Sequence, residues 1–574
     1  MKKKLLSLVL AGAMASSLFA GCGDNKGSAG GGTQSAGGGA EPVDVGADNL
    51  EESREITVWL YKDDYKIYDS YDENPVVQYL NGKFNCTLKF QQPAMGSEKE
   101  QFSLMLGTGS YTDVMEISNC QEGVASLYED GVIKDLAPYL ENYMPNFYAF
   151  LNAPENGDVK KALYDGDGHL FTIPFQVRLQ DENRWGGMVY RRDILETMTG
   201  GNVVFPSGNG EPTTVEDWDY VLETMKTYFD AAGLADYACL IIPAQGYFET
   251  GELLTGFGVA GNFYVQDGTV KYGPVEQGFY NYLVKMKEWY EKGYIYQDFA
   301  SRTNDVFYLP NTALTYGGSA GIWFGMGGQL DGAMSMPEYG LEVNVQALAS
   351  PLDTASTSTL LAQTGLENER VAMNTQGYVV ADTCSEENMI RFMSVADYLF
   401  TDEGAMLRSY GLTAEQGAAD NSYYAAAGLS GGAYTMEGET FTYAEPLVPN
   451  VGALCIDGSN MSYIGNRLPG LLNNEYDLAY ATESVSRASA VWKGTGRDNN
   501  YPSSIAFSAE DNDKIASNYS NYSDYLNTMV PKFIMGTEAL TEERFAAFAE
   551  QMKSLGVSES LELYQSYYDA FMSE

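Results

Sequence analysis

Apolar positions along this chain follow two rhythms, and the way they alternate predicts the architecture. Ile56-Thr-Val-Trp-Leu60 alternates residue by residue and predicts a strand, with Tyr61, Lys62, Asp63 and Asp64 at its C-terminal end. Asn74 as cap and Pro75 at the first helical position predict a helix running towards Phe84. Thr87–Phe90 reads as a second strand, Glu98–Leu106 as a helix and Thr112–Ile117 as a third strand. Strands interleaved with helices in this way predict a parallel α/β sheet. Ligands of such sheets sit beyond the C-terminal strand ends, which gathers Tyr61, Lys62, Glu116, Ser118 and Asn119 in one place.

The stretch Leu163–Leu195 carries a different signal. Two strand-length apolar runs, Leu170–Phe175 and Gly187–Tyr190, flank a segment too short for a crossover helix. That segment holds Arg178, Gln180, Asp181, Glu182, Asn183, Arg184 and Trp185, and a polar, aromatic connector of this kind can carry the chain from one lobe to another. Further along, helical stripes recur at Phe279, Leu283, Met286 and Tyr290 before Gly293, and at Met389, Phe392, Ala396 and Leu399. The latter is followed by a break at Thr401-Asp402 and a second helix ending near Gly411. A last stripe, Phe545, Phe548, Met552 and Leu555, closes at Gly556, and all three stripes are expected in the core.

Composition narrows the function. The 574 residues are 44% hydrophobic and 20% charged, a globular balance with a formal net charge of -44. So acidic a chain is not expected to bind nucleic acid or to adsorb to anionic lipid. Tyrosine (43), phenylalanine (25) and tryptophan (6) are abundant and offer flat faces suited to sugar rings as well as to a core. The six cysteines, Cys22, Cys86, Cys120, Cys239, Cys384 and Cys455, form no CxxC pair, and His169 is the only histidine. Zinc sites of the usual kind and Ser-His-Asp machinery are unsupported, so no cofactor or metal and no catalytic residue is expected. Apart from Cys22, the cysteines read as mostly buried thiols.

Met1-Lys-Lys-Lys followed by LLSLVLAGAMASSLFAG has the basic and apolar regions of a secretory signal. Its end, Leu18-Phe19-Ala20-Gly21-Cys22, resembles a bacterial lipobox, which implies that Cys22 is lipidated and anchors the chain to the extracytoplasmic face of the cell membrane. Phe19 stands where that motif most often has Leu. Residues 23–49, rich in Gly, Ser and Ala, read as a coil-like tether with a reach of roughly 30 Å.

Several segments then match one family in order: TDVMEI, LYEDGVIKDLAPYLENYMPN, VKKALYDGDGHLFTIP, MVYRRDIL, VEDWDYVLETMKTYF, DYLFTDEGAMLRSYG and the C-terminal VPKFIMGTEALTEERFAAFAEQMKSLGVSESLELYQSYYDAF. Together they resemble the lipoprotein members of the family 1 extracellular solute-binding proteins, the carbohydrate-capturing receptors of ABC importers. The resemblance spans nearly all of residues 55–574. It implies a two-lobed α/β periplasmic-binding-protein-like fold (type II) with discontinuous lobes joined by hinge strands. The expected lobes are 55–178 with 372–415, and 179–371 with 416–574. Crossings are expected near Arg178–Trp185, near Asn374–Tyr378 and after Tyr410.

The same resemblance implies a carbohydrate ligand, an oligosaccharide and in one variant an acidic one, held between the lobes and delivered to ABC permease subunits by a monomeric, non-enzymatic protein. Trp323, in Ala313–Phe324, is the expected stacking residue with Tyr316 beside it, and Trp185 is placed to stack in the crossing. Trp323→Ala is accordingly expected to weaken binding by ~1 kcal/mol or more with little change in melting temperature. Arg178 and Arg184 could hold a uronate or sialate carboxylate, whereas Arg191 and Arg192 in YRRDIL look structural. Glu116, Asn119 and Tyr61 complete the sheet-edge group, with Asp113 a further acceptor for sugar hydroxyls. Tyr463, Arg467 and Trp492 fall in a late region where such receptors add cleft contacts. The calcium loop of many relatives is not expected, because Asp230–Asp236 lacks its oxygen ligands and Asp165/Asp167 is only a fragment of one. The alternatives from other classes are a surface polysaccharide hydrolase using paired carboxylates, and a peptide or lipid receptor on the same scaffold.

Overall fold

Strand β1 (Arg54–Trp59) pairs in parallel with β2 (Cys86–Gln91) and β3 (Val114–Glu116), as the interleaved helices require. Between β1 and β2 the helix Pro75–Lys83 starts where expected: Asn74 is buried, and its Oδ1 accepts from the Val76 and Val77 N–H groups at 2.9 and 3.5 Å. The chain continues through β4 (Ile173–Pro174), β5 (Val177–Arg178), β6 (Gly186–Arg191), β7 (Ala238–Leu240), β8 (Ala320–Met326), β9 (Val345–Ala347), β10 (Gly377–Val380) and β11 (Leu471–Leu472). The computed structural model describes residues 51–61, 70–94, 96–120, 123–175, 177–178, 186–244, 253–301, 312–332, 334–336, 340–354, 377–426, 429–444, 467–473, 476, 483–492, 499–502, 505 and 507–573. None of the helices among them is long and apolar enough to cross a membrane.

Two sheets organise the body. The first has the order β2-β1-β3-β10-β4, with β10 antiparallel to both neighbours, and the second has the order β9-β6-β8-β7. Each is covered on both faces. In β10, Tyr378 and Val380 enter one core while Val379, with Ala381 just beyond the strand, enters another; in β8, Ile322 and Phe324 face one core and Trp323 the other. Strands buried on both faces read as unbroken apolar runs, which is how AGIWFGM in β8 reads. β4 belongs to the first sheet and β6 to the second, so the chain passes between them over 175–185, the polar segment singled out above. β5 pairs in parallel with β11 (Val177↔Leu471, Arg178↔Leu472), which brings a late segment back beside this crossing.

One expected boundary is corrected. The chain does not leave the first lobe after Tyr410: Leu412, Tyr424, Leu429, Tyr434, Phe441, Tyr443, Leu468 and Leu471 all pack in the first core. Tyr410 is the reason, since the rings of Phe441 (4.8 Å), Tyr443 (5.9 Å) and Tyr434 (6.0 Å) surround it. The C-terminal helices from Ala509 onwards join the core of the second sheet.

The three helical stripes lie on the helices Gln277–Glu291, Glu386–Tyr398 and Glu542–Met552, with Leu399 and Leu555 just past the ends of the last two, and all are buried apart from the half-buried Tyr290 and Leu555. Thr401 caps the following helix, Asp402–Tyr410, by accepting from Gly404 N–H at 3.1 Å. Gly556, at φ +122°, turns the chain directly into a further helix, Ser558–Ser573, instead of ending helical structure. Two fully buried arginines serve as internal ties. Arg391 donates to the carbonyls of Glu52, Phe84 and Asn85 at 3.1, 2.9 and 2.7 Å, joining its helix to the entry of β1 and the exit of the Pro75 helix. Arg408 does the same at the hinge strands, as described below. Cys239 and Cys384 are buried, and burial pushes each thiol up to about 12, which leaves them unreactive at neutral pH.

Candidate functional site

The C-terminal edge of the first sheet brings together residues from four separate parts of the sequence. β1 delivers Tyr61. β3 ends at Glu116 and enters a tight turn closed by Cys120 N–H to the Ile117 carbonyl at 2.9 Å, which sets Ser118 and Asn119 at the edge, both half-buried. β10 runs the opposite way, so its first residues, Gly377 and Tyr378, lie at this same edge, paired with Pro174 and with Ile173 and Glu116. The fourth part is the segment around Arg467.

The Arg467 guanidinium lies over the Tyr61 ring at 4.5 Å and near the Phe175 ring at 5.9 Å. Its backbone is held from below: the Tyr378 hydroxyl donates to the Arg467 carbonyl at 2.6 Å. Burial first, and then the Glu116 carboxylate, hold the Tyr378 phenol well above its ordinary range, so it stays a protonated donor at any physiological pH. Tyr71 donates to the Tyr61 carbonyl at 3.3 Å and steadies the other side. Glu116 is almost fully buried, and its Oε1 accepts from the Ser118 N–H at 3.0 Å and from the Ser118 hydroxyl. Glu116, expected among the ligand contacts, is as covered as a core residue and instead holds the turn that carries Ser118 and Asn119. An aromatic face, a guanidinium and an amide at one strand-end edge can stack on the apolar face of a ring and exchange hydrogen bonds with its hydroxyls.

Arg408 secures this edge to the crossing strands. Its side chain is fully buried and donates from Nε to Leu468 O (2.9 Å), from Nη1 to Leu471 O (3.2 Å) and from Nη2 to Phe175 O. Gly470 N–H to Pro174 O (3.2 Å) and Val177 N–H to Gly470 O (3.1 Å) extend the same seam.

Other expected site residues are placed elsewhere. Trp323 is corrected: it sits in β8, an interior strand paired on both edges, is 1% exposed, and donates its indole N–H to Gln329 Oε1 at 3.1 Å. With both faces of the strand covered it presents no ring face to a ligand. Trp492 is corrected in the same way. It is 3% exposed and donates to Met188 O at 2.9 Å, and its ring lies so close on β6 that a Cβ at Gly187 would stand 2.3 Å from Trp492 Cδ1. Tyr316 ends the short helix Thr312–Tyr316, half-buried against the core that holds Trp323. Arg178 lies in β5, beside β11. Arg184, Trp185, Tyr463, Lys62 and Cys22 lie outside the described residues.

The residues read as structural have structural partners. Arg191 bonds Asp193 through Nε and Nη2 (2.8 and 2.6 Å) and the Gly318 carbonyl through Nη1 (3.1 Å). Arg192 donates to the Tyr190 hydroxyl at 3.0 Å and reaches Glu196 at 3.3 Å. Asp113 accepts from Thr57 N–H and hydroxyl at 2.8 and 2.9 Å, a strand-edge role. Asp230 takes Lys226 and Tyr237 at 3.0 and 2.5 Å, while Asp165 accepts the Asp167 and His169 N–H groups of its own turn at 3.0 and 2.8 Å. Among the described residues no group of three or more His, Cys, Asp or Glu side chains is placed to hold a metal ion. Tyr378, Phe175 and Arg408 are the site residues that sequence reasoning missed. The only local signal for them is that they flank predicted crossings.

No family model matches this sequence, and no curated protein matches it. Solved structures do match over nearly the whole chain. The alginate-binding protein AlgQ2 superposes with a TM-score of 0.63 at 16% identity, over 91% of this chain and 99% of that one. An HMO-binding, ABC-transporter-associated solute-binding protein from Bifidobacterium longum infantis gives 0.66 at 17% identity, over 90% and 99%. The Streptococcus pneumoniae ABC-transporter substrate-binding protein FusA, in complex with kestose, gives 0.65 at 16% identity, over 90% and 99%. The chain thus has the two-lobed α/β fold of solute-binding proteins.

Proposed function

We propose that this protein is the lipid-anchored, extracytoplasmic substrate-binding component of an ABC importer, closing its two lobes on an oligosaccharide and passing it unaltered to a permease. The observation that carries the reading is the sheet-edge group of Tyr61, Asn119 and Arg467, set at the strand ends where α/β sheets take ligands, within a fold shared along nine-tenths of the chain with proteins described as binding alginate, HMO or kestose. Lobe closure needs only tighter binding in the shut state and no bond chemistry. The lipobox-like Leu18–Cys22 and the Gly-rich tether support the anchor.

Calorimetry against a panel of neutral and uronate- or sialate-containing oligosaccharides, with product analysis of each mixture, tests the reading. At least one glycan is expected to bind without release of smaller sugars, and Tyr61→Ala is expected to weaken that binding by about 1 kcal/mol. Sugar release at catalytic rates, or no binding to any member of the panel, would refute it. Separately, Cys22→Ala is expected to move the protein from the membrane fraction to the medium. Continued membrane retention of that variant would remove the lipid anchor.

A further inference from the structure

A pocket lies beside the core of the second sheet, built from residues that do not belong to the sheet edge described above. It is a cavity of about 220 Å³ between the helix Ala509–Ile534 and the turn that opens the hairpin Phe263–Tyr272, lined by Gly261, Asn262, Tyr272, Tyr519, Ser523, Leu526 and Asn527. Tyr519, Ser523 and Asn527 are spaced four apart and so share one helix face. Tyr519 is 49% exposed, an unusual place for a large ring. Its orientation is braced: Tyr522, almost fully buried, meets it edge-on at 5.6 Å and in turn packs edge-on against Tyr272 at 5.4 Å. Leu526 and Tyr272 form an apolar floor, both nearly inaccessible to solvent.

The chemistry of the lining narrows the ligand. None of its seven residues is charged, in a chain where one residue in five is. The lining itself offers no counter-charge to an anion or a cation. The polar side-chain groups are the carboxamides of Asn262 and Asn527 and the hydroxyls of Ser523, Tyr272 and Tyr519, each able to donate and to accept. Asn262 and Asn527 are exposed, and Asn262 accepts the Phe263 N–H on its Oδ1 at 2.8 Å. A half-exposed aromatic ring with carboxamides and hydroxyls in the same pocket suits a ring with an apolar C–H face and hydroxyls at its perimeter. The cavity is smaller than the ~300–1,000 Å³ of drug-sized pockets, so it holds one ring and not a chain of them.

We infer that this pocket is an accessory site for a single neutral hexopyranose, such as the terminal residue of a glycan, stacked on Tyr519 and hydrogen-bonded by Asn262, Ser523 and Asn527. A weak site of this kind on a tethered protein would raise the local concentration of oligosaccharide near the main cleft.

Saturation-transfer NMR on the full chain tests it, with methyl β-D-glucopyranoside, methyl β-D-galactopyranoside and methyl α-D-mannopyranoside as probes at millimolar concentration. Transfer to at least one glycoside is expected, falling at least fivefold in Tyr519→Ala and persisting in Tyr519→Phe, which keeps the ring. It is also expected to persist in Tyr61→Ala. Absence of transfer to all three probes, or equal transfer in wild type and Tyr519→Ala, overturns the accessory site. If transfer is lost in Tyr61→Ala but kept in Tyr519→Ala, the sugar sits at the sheet edge. The accessory site is then overturned and the proposed function stands.

Discussion

Arg408→Met is expected to destabilise the folded chain by about 3 kcal/mol or more, because it strips the donors from three buried carbonyls, each costing ~1–3 kcal/mol when left unpaired. Those carbonyls, Phe175, Leu468 and Leu471, belong to the two segments that meet at the β5–β11 pair. Thermal unfolding followed by circular dichroism should show a clear fall in midpoint. Hydrogen exchange should show the loss of protection concentrated at Val177 and Leu471–Leu472. Arg408→Lys is expected to recover only part of the loss, since a single ammonium cannot reproduce the planar fork that spans three acceptors. A midpoint within a degree of wild type would show that the ties contribute nothing.

Trp323→Ala is expected to be the second large loss, about 3–5 kcal/mol, by removing a buried indole from the middle of β8. Its neighbours, among them Val189, Val345 and Met334, close round it and cannot collapse fully into the space. The substitution also leaves Gln329 Oε1 without the indole N–H. This inverts the expectation formed from the sequence, which was weaker sugar binding with little change in melting temperature. Denaturant titration together with calorimetry separates the two. A variant with unchanged stability and impaired binding would restore Trp323 to the ligand site.

These two residues show where sequence reading stops. Trp323 was expected in the site from what the resemblance implied for Ala313–Phe324, but Ala320–Met326 carries no apolar/polar alternation, and that absence marks a strand covered on both faces. Arg408 left no signal beyond its place beside an expected crossing, because its partners are backbone carbonyls, which every residue type supplies alike. Arg467 was named only as part of a late region. Its position over Tyr61, some four hundred residues earlier, depends on a contact that no local pattern encodes. The boundary after Tyr410 failed for a related reason: the rings that complete its packing, Tyr434, Phe441 and Tyr443, arrive from a later hairpin.

Periodicity, caps and turn residues determined the strands, the helices and the alternation that makes the fold α/β, since each of these depends on neighbours within a turn or two of the chain. The Asn74 cap and the buried stripes of the helices Gln277–Glu291 and Glu386–Tyr398 are of this kind. Which tryptophans are covered, which arginines tie crossing segments and which side chains meet at the strand ends was decided only by tertiary packing. A side chain's exposure is set by what is laid against it, and those elements come from parts of the chain hundreds of residues away.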